Sequence, residues 1–213
     1  MTKLTLVIGN KNYSSWSLRP WLALKQTGTD FKEVRLPLHT AEFEREVVKY
    51  SPSGKVPCLI DGDIKVWESL AICEYLAEKF PKAKLWPEDS KARAFARSIS
   101  NEMHGGFMGL RKNCPMNIRE RIKKELPEEV QLDVKRIAEI WNEARSQFGK
   151  NGPFLFGHFT IADSMYAPVV TRFVTYDIKV DPVSKSFMDT ILSIPAMKAW
   201  ISAAEKEEEV LSH

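Results

Sequence analysis

The chain has 213 residues, 44% hydrophobic and 28% charged, a composition that excludes a globally disordered, collagen-like or fibrous protein. That length holds one domain or two compact ones. Its 31 Lys+Arg and 28 Asp+Glu leave a formal charge of +3, and runs such as Arg119-Glu120-Arg121-Ile122-Lys123-Lys124-Glu125 mix both signs, so no nucleic-acid partner is expected.

In chain order, residues 4–8 are short, apolar and β-branched before Gly9-Asn10, which predicts a strand. A polar loop follows. Ser17 suits the N-cap of a helix over residues 18–24, with Pro20 in its first turn and Thr27-Gly28 at its end. A second strand is expected over 31–38, a charged helix over 41–49, and a turn at Ser51-Pro52-Ser53-Gly54. Strands over 56–60 and 64–67 flank Asp61-Gly62-Asp63, a hairpin signal, and a helix over 69–80 follows. The order is β-α-β-α-β-β-α, a parallel crossover first and an antiparallel hairpin last.

After Phe80-Pro81 the pattern changes. Residues 1–80 are read as an α/β domain, 81–90 as a linker with Pro81 and Pro87, and 91–213 as an all-helical domain. Phe95, Ile99, Met103, Phe107 and Leu110 form one apolar stripe, with a bend at Gly105-Gly106. Ile137, Ile140, Trp141, Ala144 and Phe148 form a second stripe, which Gly152-Pro153 breaks. Thr160-Ile161-Ala162-Asp163 has the form of a capping box opening a further helix. Helices over 184–192 and 194–209 complete the chain, the last ending in a charged, frayed tail.

Cys58, Cys73 and Cys114 form no C-x-x-C pair, which fits a reducing compartment; Cys58 and Cys73 fall in core positions and Cys114, before Pro115, in an exposed one. No stretch approaches the roughly 18 apolar residues of a membrane span. Met1-Thr2-Lys3 leads into a short alternating segment rather than a signal-peptide core, so a cytoplasmic protein without a membrane partner is expected. No clustered His/Cys/carboxylate spacing and no Gly-rich phosphate loop stands out, so neither metal nor nucleotide is expected.

Three segments carry chemistry. Ser14-Ser15-Trp16-Ser17 places hydroxyls and free backbone N–H groups at the positive end of a helix, where an anion such as a thiolate is stabilised, although serines there also act as plain caps. In Ser53-Gly54-Lys55-Val56-Pro57-Cys58 a proline sits at a strand start. It suits either a strand edge or a cis bond that turns the Val56 backbone to a ligand. Trp67-Glu68-Ser69 opens a helix, with Ser69 as cap, first-turn N–H groups for a carboxylate and Glu68 for an ammonium: together, an α-amino acid head.

With Arg19 after the first segment, Leu59 after the second, and Ile72 and Tyr75-Leu76 after the third, the N-terminal half resembles the thioredoxin-like domain of cytosolic glutathione transferases. Thr160-Ile161-Ala162-Asp163 matches that family's N-capping box in the helical half. The resemblance covers nearly the whole chain and is nearest to serine-type members such as the zeta class, with its S-S-C-S-W-R motif. Trp16 stands where that class has cysteine, and Ser164 where the family commonly places an apolar residue to pair with the position of Phe159.

The resemblance implies a homodimeric glutathione S-transferase that uses glutathione as co-substrate on a small hydrophobic electrophile. Ser14 is then the first choice for activating the thiol and Ser15 the second. Val56, beside a cis Pro57, would bond the cysteinyl backbone, Glu68 and Ser69 the γ-glutamyl end, and Lys55 and His39 the glycine carboxylate. Met103, His104, Phe107 and Arg111 would form the pocket for the second substrate. Two other readings stand beside it: a non-catalytic member that keeps the fold for ligand carriage or protein contact, and a glutathione-dependent isomerase, dehalogenase or peroxidase.

Overall fold

Strands β1 (Leu4–Ile8) and β2 (Phe31–Arg35) pair in parallel, Leu4 opposite Phe31 and Ile8 opposite Arg35, with helix α1 (Ser15–Gln26) crossing between them. The structure is a computed structural model and describes residues 3–211. Met1 and Thr2 of the leading segment, and Ser212 and His213 of the tail, lie outside the described residues. The period of two in β1 divides its side chains between two cores: Leu4, Leu6 and Ile8 face the main one, and Val7 joins Leu36, Phe43, Val47 and Cys58 on the other face. Helix α2 (Ala41–Tyr50) covers that second face through Phe43 and Val47, one turn apart, and is capped by Thr40 Oγ1, which accepts from Phe43 N at 3.1 Å.

β3 (Cys58–Asp61) and β4 (Ile64–Trp67) form the hairpin, Asp61 opposite Ile64, and the turn needs Gly62 at φ +60°. β3 runs antiparallel to β1, which gives a mixed sheet in the order β2-β1-β3-β4, and α3 (Ser69–Lys79) follows. The expected β-α-β-α-β-β-α order therefore holds, although the second strand stops at Arg35 and the third starts at Cys58, after the cis Val56–Pro57 bond.

A short 3-10 turn (Pro81–Ala83) leads to the helical half: α4 (Ser90–Gly105), α5 (Met108–Asn113), α6 (Glu128–Phe148), α7 (Ile161–Thr175), α8 (Pro182–Ser193) and α9 (Pro195–Glu205). α7 is buried along almost its whole length, as expected of a helix apolar on nearly every face. It packs against α1 and α4, while α1 also packs against α3. One apolar core thus runs from Leu6 and Leu22 to Trp141 and Phe187 across both halves. The Thr160 capping box is formed as expected.

Several local expectations are corrected. The cap of α1 is Ser14, not Ser17, because the helix starts three residues earlier than the apolar pattern suggests; Pro20 therefore lies in the second turn. Ser69 is the first residue of α3 and caps nothing. At Gly105-Gly106 the chain does not bend but ends α4, and Phe107 at φ +60° starts α5 in a new direction. Cys114 is fully buried in the main apolar core, and its carbonyl accepts from the buried Arg172 Nε at 2.9 Å. The charged tail is not frayed over residues 206–211 but bonded to the loop before α1.

Candidate active site

The loop from β1 to α1 is a tight turn in which Asn10 O accepts from Ser14 N at 2.8 Å and from Tyr13 N at 3.2 Å. It delivers Ser14 and Ser15 to the N-terminus of α1, where unpaired N–H groups favour negative charge. Ser14 Oγ donates to Ser17 Oγ at 2.7 Å and accepts from Ser17 N at 3.4 Å, and the buried Ser17 Oγ accepts from Gly9 N at 3.1 Å. Ser14 and Ser15 both line a cleft of about 710 Å³ between the two halves, together with His39, Lys55 and Val56 from the α/β side.

A smaller pocket of about 180 Å³ shares Trp16, Lys55 and Val56 with that cleft and adds Pro57, Glu68 and Ser69. Glu68 holds φ +66°, uncommon for a side-chain-bearing residue, and so turns from β4 into α3. Its carboxylate lies 3.7 Å from His104 Nε2 across the interface between the halves, while Ser69 Oγ is buried with no partner among the described residues. The three sequence segments therefore converge on two adjoining pockets.

The far wall comes from the helical half through His104, Met108, Arg111, Pro115, Met116 and Arg172. Met103 and Phe107, expected here, do not line it. Met103 is fully buried on the core side of α4, and the left-handed backbone at Phe107 turns that ring inward, which leaves Met108 to face the cleft. The sequence assigns no role to Trp16, Tyr13 or Arg172; the signal for Arg172 is a single basic residue in a helix buried along almost its whole length.

The Trp16 ring of α1 meets three basic side chains. Arg19 Cζ lies 4.4 Å and Arg111 Cζ 4.8 Å from its ring centroid, and the His104 ring meets it edge-on at 5.3 Å. Arg19 is fully buried and its three guanidinium nitrogens have no hydrogen-bond partner among the described residues. Burial, then Arg111 and Arg172, pull its pKa well below the ordinary value. Arg172 is brought down to about 10 by burial, with Arg111 adding to the effect. Arg111 donates from Nε to Gly106 O at 2.8 Å and from Nη2 to Met103 O, fixing the end of α4. Burial lowers the His104 pKa, Arg19 and Arg111 add to the effect, and Glu68 opposes it.

Among the described residues no group of three or more His, Cys, Asp or Glu is placed to hold a metal ion, and no helix is long and apolar enough to cross a membrane.

Comparison with known proteins matches residues 5–78 to the glutathione S-transferase N-terminal domain and residues 127–203 to the glutathione S-transferase C-terminal domain. Glutathione S-transferase 1 of Dianthus caryophyllus is 29% identical over 204 residues, 89% of this chain and 87% of that protein. A probable maleylacetoacetate isomerase of Caenorhabditis elegans is 31% identical over 191 residues, 87% of this chain and 86% of that protein. A glutathione transferase homologue from Burkholderia GL BGR1, solved with bound glutathione, superposes with a TM-score of 0.72 over 97% of this chain and 100% of that one at 23% identity, which shows the shared fold. With both domain matches in order along one chain, and an identity above 30% across most of two full lengths, the chain belongs to the glutathione S-transferase family.

Proposed function

We propose that the protein joins glutathione to a small hydrophobic electrophile by ionising the glutathione thiol with a serine hydroxyl. The observation that carries this reading is the convergence of Ser14, Ser15 and Val56 on one cleft, with Glu68 and Ser69 in the pocket that opens from it. Val56 would bond the cysteinyl backbone, Glu68 and Ser69 the γ-glutamyl head, and Lys55 and His39 the glycine carboxylate. The sulfur then sits at the N-terminus of α1. A free thiol has a pKa of about 8.5, and each unit of lowering corresponds to about 1.4 kcal/mol. A hydroxyl donating to an anion contributes about 1.5–3 kcal/mol and a helix N-terminus about 0.3–1 kcal/mol, so the two together reach a shift of one to two units.

We assign the sulfur contact to Ser14 first, because Ser17 backs it with a second hydroxyl, and to Ser15 second. The electrophile would lie against His104, Met108 and Arg111. In this reading residues 1–80 bind glutathione, residues 91–213 shape the second site across the linker 81–90, and the protein works as a cytoplasmic homodimer. Ile64 and Trp67, exposed on opposite faces of the edge strand β4, support a protein partner along that edge.

A second reading, glutathione-dependent isomerisation, is supported by Arg111 and Arg172 on one wall, which suit a carboxylate-bearing substrate, and by the relative named as a probable maleylacetoacetate isomerase. Trp16, in place of that class's cysteine, argues for the transferase.

The test is calorimetry of glutathione binding across mildly acidic to neutral pH, with ultraviolet thiolate absorbance followed in parallel, for wild type, Ser14→Ala and Ser15→Ala. Binding with a thiol pKa well below the free value, lost in Ser14→Ala, is the expected result. Absence of binding by wild type would sink the enzyme reading and leave a non-catalytic member of the family. Turnover of model electrophiles against an isomerisable dicarboxylate then separates the two catalytic readings.

A further inference from the structure

The turn that carries Ser14 is gripped from outside by the end of the chain. Both carboxylate oxygens of Glu207 are used: Oε1 accepts from Lys11 N at 2.7 Å and Oε2 from Asn12 N at 2.9 Å. These are the two N–H groups that the Asn10–Ser14 turn leaves free, since Asn10 O takes those of Tyr13 and Ser14. The Glu207 side chain is only 8% exposed, so water competes poorly for it.

The tail is itself anchored. Arg119 donates to the carbonyls of Glu207 and Glu209, the latter at 2.7 Å, and to Tyr13 Oη at 3.1 Å. Arg35 pairs with Glu209 at 2.7 Å, and Tyr13 Oη accepts from Leu211 N at 3.3 Å. Beneath the turn, the buried Asn12 donates from Nδ2 to Asn117 Oδ1 at 2.9 Å and accepts at Oδ1 from Arg119 N at 2.9 Å. Glu207 lines neither of the two joined pockets, so it touches no reacting group there and acts from behind the turn.

We propose that Glu207 is a positioning residue for thiol activation: the strap 206–211 holds the Lys11–Asn12 peptide groups so that the Ser14 hydroxyl meets the sulfur. This rests on the serine-thiolate reading above. Hydrogen bonds to a developing charge depend steeply on placement, and an error of about 1 Å costs on the order of 100-fold in rate. By contrast, Val56, Glu68 and Ser69 come from segments the strap does not bond, so affinity for glutathione in its protonated thiol form is set independently of it.

The test compares wild type, Glu207→Gln and the neighbouring control Glu208→Gln by three readouts: the thiol pKa of bound glutathione, the split between kcat and the glutathione KM, and the thermal midpoint without ligand. Gln keeps the shape but offers one acceptor oxygen and sets an NH2 group against a backbone N–H. The expected result for Glu207→Gln is a thiol pKa raised by about one unit and, read below the wild-type thiol pKa, a kcat about tenfold lower with a KM within about twofold. Glu208→Gln should match wild type. Arg119→Gln, which frees the same strap by another route, should shift the thiol pKa in the same direction and keeps the idea testable if Glu207→Gln folds poorly. An unchanged thiol pKa in both variants, with or without a lower thermal midpoint, overturns the proposal by making the strap purely structural. If wild type fails to lower the thiol pKa, the serine-thiolate reading fails and the proposal falls with it, an outcome visible before any variant is compared.

Discussion

Ser14 Oγ lies 2.7 Å from Ser17 Oγ, so the hydroxyl at the head of α1 has a second hydroxyl behind it. Ser14 donates inward to Ser17. A sulfur anion at the helix N-terminus would draw the Ser14 proton outward, and the Ser17 rotor, whose oxygen stays anchored by Gly9 N at 3.1 Å, can then turn to donate to Ser14. Ser17→Ala should therefore raise the thiol pKa of bound glutathione, by less than Ser14→Ala. It should also cost about 1–3 kcal/mol of stability, because Gly9 N is left without its buried acceptor. Thiolate absorbance against pH, paired with denaturant unfolding, reads both effects; a stability loss with no change in thiol pKa would exclude the relay.

His104 titrates under opposing influences from named residues, which makes it a reporter of the cleft. Burial holds its pKa below the ordinary 6.5, Arg19 and Arg111 act in the same direction, and Glu68 pulls the other way. As pH falls through about 6.5 the unfolded chain takes up this proton before the folded one, so this group's contribution to stability declines with falling pH until the folded pKa is passed. Glu68→Gln should lower the His104 pKa further and Arg19→Met should raise it, both followed by NMR of the imidazole. Glutathione should act like Glu68→Gln, because an ammonium on Glu68 withdraws the charge that favours imidazolium. A His104 pKa unmoved by saturating glutathione would place the γ-glutamyl head elsewhere.

The order of strands and helices was legible because each element carries its own period: alternation in β1, Phe43 and Val47 one turn apart in α2, and Ile137 to Phe148 along α6. The three segments that line the two pockets stand out by their cap and turn residues. What escaped local reading depended on distant partners. Three serines within residues 14–17 can all cap a helix; Ser14 does so, while Ser17 Oγ is engaged by the distant Gly9 N. Met103 and Phe107 share a helical spacing with pocket residues, yet the chain leaves the helix between them. Lys206-Glu207-Glu208-Glu209 has the composition of a frayed end, but its bonds are to Lys11 and Asn12 at the other end of the sequence. Cys114 beside Pro115 has the local sequence of an exposed position, but residues distant in the chain bury it in the main core.

The capping box of α7 gives a stability prediction with a definite pH sign. Asp163 is fully buried; Oδ2 accepts from Thr160 N at 2.7 Å and Thr160 Oγ1 at 2.8 Å, and Oδ1 from Leu155 N at 3.0 Å. Burial outweighs these bonds and pushes the carboxyl up to about 6. In the unfolded chain the group titrates near 3.9. Between those values the folded state holds the proton more tightly, so this residue makes the protein more stable as pH falls from near 7, by about 1 kcal/mol at pH near 5 and on the order of 2–3 kcal/mol below the unfolded pKa. Asp163→Asn keeps one acceptor oxygen and turns an NH2 group toward a backbone N–H, which should cost about 1–3 kcal/mol near pH 7. Denaturant unfolding of both proteins near pH 7 and near pH 5 should show the wild-type advantage widening at the lower pH, since only the carboxyl can take up a proton there. An advantage that shrinks instead would mean that the hydrogen bonds, not burial, govern this carboxyl and keep it ionised in the core.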